Sequence, residues 1–277
     1  MTKKHVPISH WYPGTVADKR PTAWWYWGRA VYVSRRDYWR ITKKFLAVGI
    51  PLGAIGVLFH VSIAFKAAMA LAAIGLVLLA YSLFGLYRMY GHPGVHYVRR
   101  LVELGGVTGK VTVADLHIGT YRHAFLLSDV LPEATIQTVD CWNVEGESPE
   151  EAVQDVRDLE LPPTGNPRIV ASKADHLTIP LPDASCGAVC FGFGTHEIPT
   201  GGAREKLFSE AARILKPEGK VLLFEHGWDV HNYVIFGPVI HHVTKRQDWD
   251  KFLHERFEDV KYARSNQAVD LFAGTRR

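Results

Sequence analysis

Residues 45–65 (FLAVGIPLGAIGVLFHVSIAF) contain no Asp, Glu, Lys or Arg, and after the single Lys66 the pattern repeats over residues 67–87 (AAMALAAIGLVLLAYSLFGLY) until Arg88. At 1.5 Å per residue each run reaches about 32 Å as a helix, the depth of a bilayer's hydrocarbon core. The pattern predicts two membrane-crossing helices. A hairpin buried inside a soluble domain is the weaker alternative, because soluble core helices seldom run this long without charge. Basic residues crowd both outer flanks (Arg35, Arg36, Arg40, Lys43 and Lys44 before; Arg88, Arg99 and Arg100 after), whereas Lys66 alone marks the connecting turn. The excess of positive charge places both termini and the following domain on the cytoplasmic side. Gly49, Gly53, Ala68 and Ala72 form a stripe of small residues suited either to close packing of the two helices or to a homo-oligomer through them.

From residue 88 onward short apolar runs alternate with helical patterns. Strands are expected at 111–115 (VTVAD), 135–140 (TIQTVD), 169–174 (IVASKA), 188–193 (AVCFGF) and 221–225 (VLLFE), with helices at about 122–131, 149–158, 203–216 and 246–255. Residues 257–262 and 268–273 read as a closing hairpin. This alternation predicts an α/β fold, a doubly wound Rossmann-like seven-stranded sheet preceded by a transmembrane helical hairpin. The expected parts are an arm at 1–44, the spans at 45–87 and the domain at 88–277. Ser148, Pro149 and Glu151 suit a helix start, and Lys216-Pro217-Glu218-Gly219 suits a helix stop and turn.

Charge changes this picture in one respect. The 277 residues carry a net charge of +4, but residues 1–44 hold +8 and the remainder −4, so the basic character belongs to the arm. A nucleic-acid-binding protein is therefore not indicated. The arm interleaves its arginines with Trp11, Tyr12, Trp24, Trp25, Tyr26, Trp27, Tyr32, Tyr38 and Trp39, a composition that favours the lipid headgroup layer. Cys141, Cys186 and Cys190 form no CxxC pair, which argues against disulfides and a zinc site.

In a doubly wound sheet, ligands bind beyond the carboxyl ends of the strands near the point where strand order reverses. Three acids stand at the first three strand ends: Asp115, Asp140 and Asp175. A carboxylate after the second strand suits a ribose diol, because it accepts two hydroxyl hydrogen bonds at once. The segments VTVADLHIGTY (111–121), TVDCWN (138–143), ADHLTIPLPDASCGAVCFGFGTHEIP (174–199) and EAARILKPEGKVLLFEHG (210–227) follow one another in an order that resembles the class I S-adenosylmethionine-dependent methyltransferases, most nearly the branch that methylates quinones and other small molecules. The resemblance covers residues 104–227. It implies S-adenosylmethionine as cofactor, with Asp115, Gly119 and Tyr121 near its methionine part, Asp140 and Cys141 at the ribose, Asp175 and His176 at the adenine, and Phe193 facing the sulfonium. One departure stands out: the acidic, glycine-rich first loop of the family reads Asp115-Leu116-His117-Ile118-Gly119-Thr120-Tyr121, with only the middle glycine kept. If the His117 and Tyr121 rings fill the crevice, no cofactor enters.

Methylation of a hydroxyl, thiol or phenol requires loss of its proton. His196, with Glu197 as orienter, and His226 are the candidate bases; for each, a purely structural role is equally compatible with the sequence. His231, His241 and His242 lie in an apolar stretch at 228–243 with no familiar ligand spacing, so no metal is expected. The leading expectation is a membrane-anchored methyltransferase acting on a lipophilic acceptor such as a quinone, a phenol or another membrane lipid. Alternatives are a quinone-modifying enzyme of other chemistry, such as amino transfer, and a catalytically degenerate membrane scaffold. A nicotinamide dehydrogenase is disfavoured by the lack of GxGxxG after the first strand.

Overall fold

The computed structural model describes residues 15, 18–142, 151–175, 177–266 and 268–277. Trp11, Tyr12, Ser148, Pro149 and His176 lie outside these residues.

The first helix among the described residues is α1 (Ala23–Val33), capped by Thr22, whose side chain accepts a hydrogen bond from the Trp25 amide. Tyr26, Arg29 and Ala30, at the i, i+3, i+4 spacing of one helix face, are buried. One face of α1 is thus committed to the protein itself, whereas Trp24 and Trp39 are 65% and 58% exposed. Trp27 Nε1 donates to the Leu83 carbonyl at 3.0 Å, and Arg29 reaches the first loop of the sheet.

Two long apolar helices follow, α2 (Arg35–Leu58) and α3 (Ser62–Tyr90). Only 6% and 0% of their most apolar windows are buried. Leu58 is 71% exposed and Ile63 75%, so the hairpin's apolar surface is not covered by the rest of the described chain. The reversal falls at Phe59, His60 and Val61, with His60 at φ 53°, whereas the sequence placed it at Lys66. An uninterrupted apolar run gives no punctuation by which to find a turn, and Lys66 belongs to the first turns of α3. The last two turns of α3 enter the domain, burying Ser82, Gly85, Leu86 and Met89. A Cβ on Gly85 would stand 2.5 Å from Ile235 Cδ1, so this glycine permits close approach to α8 (Val230–Phe236). Ser82 Oγ donates to the Val234 carbonyl at 2.6 Å. The hairpin is therefore docked onto the domain.

Helix α4 (Val95–Gly105) leads into the sheet, made of β1 (Thr112–His117), β2 (Thr135–Asp140), β3 (Ile169–Lys173), β4 (Cys186–Phe191), β5 (Leu215–His226), β6 (Phe257–Ser265) and β7 (Val269–Arg276). The order is β3-β2-β1-β4-β5-β7-β6, with every pairing parallel except those of β7. Strand order reverses between β1 and β4, so a ligand crevice is expected beyond their carboxyl ends. The expected Lys216-Pro217-Glu218-Gly219 turn lies inside β5: Glu218 has φ 60° and the register with β4 shifts between Cys186 and Ala188. The crossover helices are α5 (Arg122–Val130), α6 (Glu151–Leu159), α7 (Ala203–Ile214) and α9 (Arg246–His254).

One apolar layer joins α4, α5 and the end of α3 to one face of the sheet, through Tyr97, Leu101, Leu127 and Leu222. The other joins α7 and α9 to the opposite face, through Phe191, Phe208 and Trp249. Phe191 and Phe208 stack at 4.2 Å. Each fully buried side chain of this size contributes about 1.5–3 kcal/mol through desolvation, which fixes the strand tips against rigid supports. Cys141, Cys186 and Cys190 are buried and free.

Candidate active site

The carboxyl end of β4 carries the chain into a short helical turn, Thr195–Glu197, through Gly194 at φ 105°. Thr195 Oγ1 donates to the Gly192 carbonyl at 2.8 Å. This turn aims His196 at Glu225, the penultimate residue of β5. The His196 amide donates to Glu225 Oε1 at 3.1 Å and Nδ1 to Oε2 at 2.8 Å. Arg204 fixes the turn from outside, donating to the carbonyls of His196 and Ile198. His196 Nε2 faces Glu197 Oε1 at 3.4 Å, and Glu197 also receives His242 Nε2 at 3.0 Å. Burial opposes charge on His196, but Glu225 and Glu197 outweigh it and hold its pKa up at about 10. Burial likewise opposes charge on Glu197, yet His196 and His242 hold it down at about 2. His226 is the opposite case. Burial, reinforced by His196 and His242, keeps its pKa well below the ordinary value, so the ring is neutral. It stacks on Phe193 at 4.1 Å with an interplanar angle of 3°, and its Nε2 lies 3.0 Å from the Tyr90 hydroxyl. Its Nδ1 is buried without a hydrogen-bond partner.

These groups form the polar end of a cavity of about 180 Å³. The strand tips supply Ile118, Gly119, Thr120, Phe193 and Gly194. The cover comes from Arg29, Ala30 and Val33 of α1, from Asp37 of α2, and from Phe236, Val239, Ile240 and Val243. Neither His117 nor Tyr121 lines it. Their rings meet edge to face at 4.7 Å beneath the loop, where His117 Nδ1 accepts from the Gly119 amide at 3.0 Å. Burial lowers the pKa of His117 to about 4 and raises that of Tyr121 to about 12. The two bulky replacements of glycine are therefore packing residues, and they leave the crevice open.

A different side chain stands in the crevice. Arg157 of α6 reaches Asp140 at the tip of β2, Nη1 and Nη2 each donating at 2.7 Å, and Nη1 also donates to the Ile118 carbonyl. Gly119, at φ 139°, lies directly under it, since a Cβ there would stand 2.3 Å from Arg157 Cγ. Glu160, just past α6, closes the rest of the loop. It accepts from Thr120 Oγ1 and the Tyr121 amide, both at 2.9 Å, and pairs with the buried Arg29 of α1. Sequence reading missed Arg157, Glu160 and Arg29. The isolated basic residue in the acidic segment EAVQDVRDLE was the one available signal for Arg157.

Other expected residues fall elsewhere. Asp115 sits inside β1, fully buried, accepting from Thr138 Oγ1 at 2.8 Å through one oxygen; the other has no hydrogen-bond partner. Burial raises its pKa to about 7 despite the Thr138 hydrogen bond. Cys141 is buried beside it, and burial raises its thiol well above the ordinary range. The Asp175 side chain accepts from the Leu177 and Thr178 amides at 2.8 Å, closing a turn after β3. Because ionised Asp115 is disfavoured only in the folded state, its contribution to stability is full below pH 3.8 and is lost as pH rises to about 7. Asp115→Asn removes that titration. The variant is expected to gain on the wild type by up to ~4 kcal/mol between pH 4 and 8, read as a pH-dependent difference in melting temperature. Parallel melting curves at all pH values would refute this.

A family model described as a methyltransferase domain matches residues 119–223. No curated protein matches the sequence. Similar solved structures include an S-adenosylmethionine-dependent methyltransferase from Aquifex aeolicus (18% identity, 64% of this chain and 88% of that one, TM-score 0.47). A phosphoethanolamine N-methyltransferase from Haemonchus contortus is 15% identical over 67% of this chain and 53% of its own, with TM-score 0.46. A geranyl diphosphate C-methyltransferase from Streptomyces coelicolor is 13% identical over 71% and 79%, with TM-score 0.47. The matched segment runs from Gly119 in the first loop through the acid-tipped β2 and the His196 turn into β5. Over residues 119–223, then, the chain matches a methyltransferase domain, and the similar solved structures include S-adenosylmethionine-dependent enzymes.

Proposed function

We propose that this protein is a membrane-anchored methyltransferase whose acceptor is lipophilic, a quinol, a phenol or another membrane lipid carrying a hydroxyl. The observation that carries this reading is the make-up of the cavity. It is lined at one end by strand tips and at the other by α1, Asp37 in the first turn of α2 and Tyr90 at the end of α3, so the acceptor site lies against the domain end of the hairpin. The exposed apolar surface of α2 and α3 supplies the anchor, and the flanking basic residues put the domain on the cytoplasmic side.

Gly119, Thr120 and Asp140 would hold the cofactor, which supplies an electrophilic methyl group when bound. The residues suit it: a carboxylate ends β2, and a glycine with positive φ allows close approach above the loop. Arg157 must first leave Asp140, whose two oxygens can then accept from a diol. The acceptor hydroxyl would lie between His196 and His226. The proton passes to the unpartnered Nδ1 of neutral His226, while the His196 imidazolium stabilises the oxygen as charge develops on it. Glu225 and Glu197 keep His196 charged and oriented. Phe193 supplies the apolar wall.

A second reading is a catalytically silent membrane scaffold. It is favoured by one specific observation, the full engagement of Asp140 by Arg157. Incubation of the protein in lipid nanodiscs with methyl-labelled S-adenosylmethionine and an isoprenoid hydroquinone distinguishes the two. Our reading predicts label in the organic extract on a product heavier by one methylene unit. Absence of label from every lipid fraction would favour the scaffold.

A further inference from the structure

Three side chains at the polar end of the cavity have their ligand atoms gathered closely enough to share one ion. The ligand atoms of His196, Glu197 and His242 all lie within 4.8 Å of one another. His196 and Glu197 come from the turn after β4, and His242 from the helical turn Gly237–His242 that covers the cavity. Both imidazoles have Nδ1 already engaged: that of His196 on Glu225 Oε2 at 2.8 Å, that of His242 on the Val239 carbonyl. Both therefore turn Nε2 toward a single carboxylate oxygen, Glu197 Oε1, at 3.4 and 3.0 Å. Histidine ligands of metals are held in this way, with the far nitrogen donating to a carboxylate or backbone carbonyl that fixes tautomer and ring direction. Without a cation, the two N–H groups share one carboxylate oxygen. With one, two lone pairs and a carboxylate converge on it.

We propose that His196, Glu197 and His242 bind a divalent transition-metal ion, with Glu225 and the Val239 carbonyl as the groups that orient the two imidazoles. Two imidazoles and one carboxylate on one side of an ion leave coordination positions open. All three residues line the cavity, so those positions face the space assigned to the acceptor. The donor set suits zinc, manganese, iron(II) or cobalt(II) better than magnesium or calcium, which prefer all-oxygen shells. Sequence spacing conceals the site, since 45 residues separate Glu197 from His242. Metal binding does not depend on methyl transfer taking place. Where the methyltransferase reading also holds, the cation takes over from the His196 proton the stabilisation of charge on an acceptor oxygen.

The test is titration of chelator-treated, tag-free full-length protein in nanodiscs with cobalt(II), followed by visible d–d absorption and calorimetry. The expected result is one equivalent bound, with bands typical of nitrogen and oxygen ligands. Glu197→Gln and His242→Ala should each lose at least about 100-fold in affinity, and Glu225→Gln about 10- to 100-fold. His241→Ala, next to the site in sequence but outside the cluster, should bind as the wild type does. The His242 side chain is 36% exposed, so its truncation leaves the fold intact, and an unchanged melting temperature verifies this. No stoichiometric binding, or equal affinity in wild type, Glu197→Gln and His242→Ala, would overturn the proposal. Because no cofactor is present, that failure is separate from failure of the methyltransferase reading.

Discussion

Glu225→Gln is expected to lower the methyl-transfer rate by about 10²-fold or more at saturating cofactor. Glu225 is 1% exposed and makes three contacts through two oxygens: the His196 amide, the His196 ring and the His226 amide. The carboxamide preserves its shape but removes the negative charge and presents one N–H₂ where an acceptor is needed. His196 then loses the larger of the two attractions that keep it charged, together with its fixed direction. Glu225→Ala goes further and leaves a buried imidazole without its partner, at a cost of about 3–5 kcal/mol if the ring stays charged. A kcat that falls with little change in KM, together with a melting temperature preserved in the Gln variant, marks loss of chemistry rather than of fold. Equal kcat in wild type and Gln variant would remove His196 and Glu225 from the reaction.

Arg157→Ala is expected to bind S-adenosylmethionine about tenfold more tightly than the wild type, and Asp140→Ala at least about 100-fold more weakly. The first figure follows from the bidentate ion pair that must open before Asp140 can accept a diol. For a pair with Asp140 buried and Arg157 only partly so, about 1.4 kcal/mol is a modest estimate and corresponds to tenfold. The second reflects loss of the carboxylate at the tip of β2. Equilibrium dialysis with labelled cofactor reads both. Opposite signs from the two variants would identify Arg157 as an occupant of the ribose position. A fall with both would make Arg157 a ligand, and no change with either would empty the crevice of its assigned role.

Most of the scaffold was legible before the structure because it depends on local rules. Every predicted strand and crossover helix is found, with ends shifted by a few residues. The largest shift is in β5, where the Lys216-Pro217-Glu218-Gly219 turn is absorbed into the strand as a register break. The site was only partly legible. His196, Glu197 and His226 do converge, because they follow adjacent parallel strands whose tips the topology brings together. His117 and Tyr121 were misjudged for a physical reason: a ring that replaces glycine has two faces of the loop open to it, and burial beneath the loop is the one these rings take. The pairings of Arg157 with Asp140, of Glu160 with Arg29 and of Glu197 with His242 span 17, 131 and 45 residues, and no local spacing rule encodes them. The buried face of α1 was not legible for a related reason. Aromatic and basic residues suit a lipid headgroup layer and a protein surface equally, and only the i, i+3, i+4 burial of Tyr26, Arg29 and Ala30 separates the two.

Calorimetric titration of the wild-type protein in nanodiscs with S-adenosylmethionine tests the central assignment most directly. A saturable one-site isotherm that vanishes in Asp140→Ala is the predicted result. The absence of heat in the wild type and in Arg157→Ala, whose crevice is cleared of the guanidinium, would contradict it.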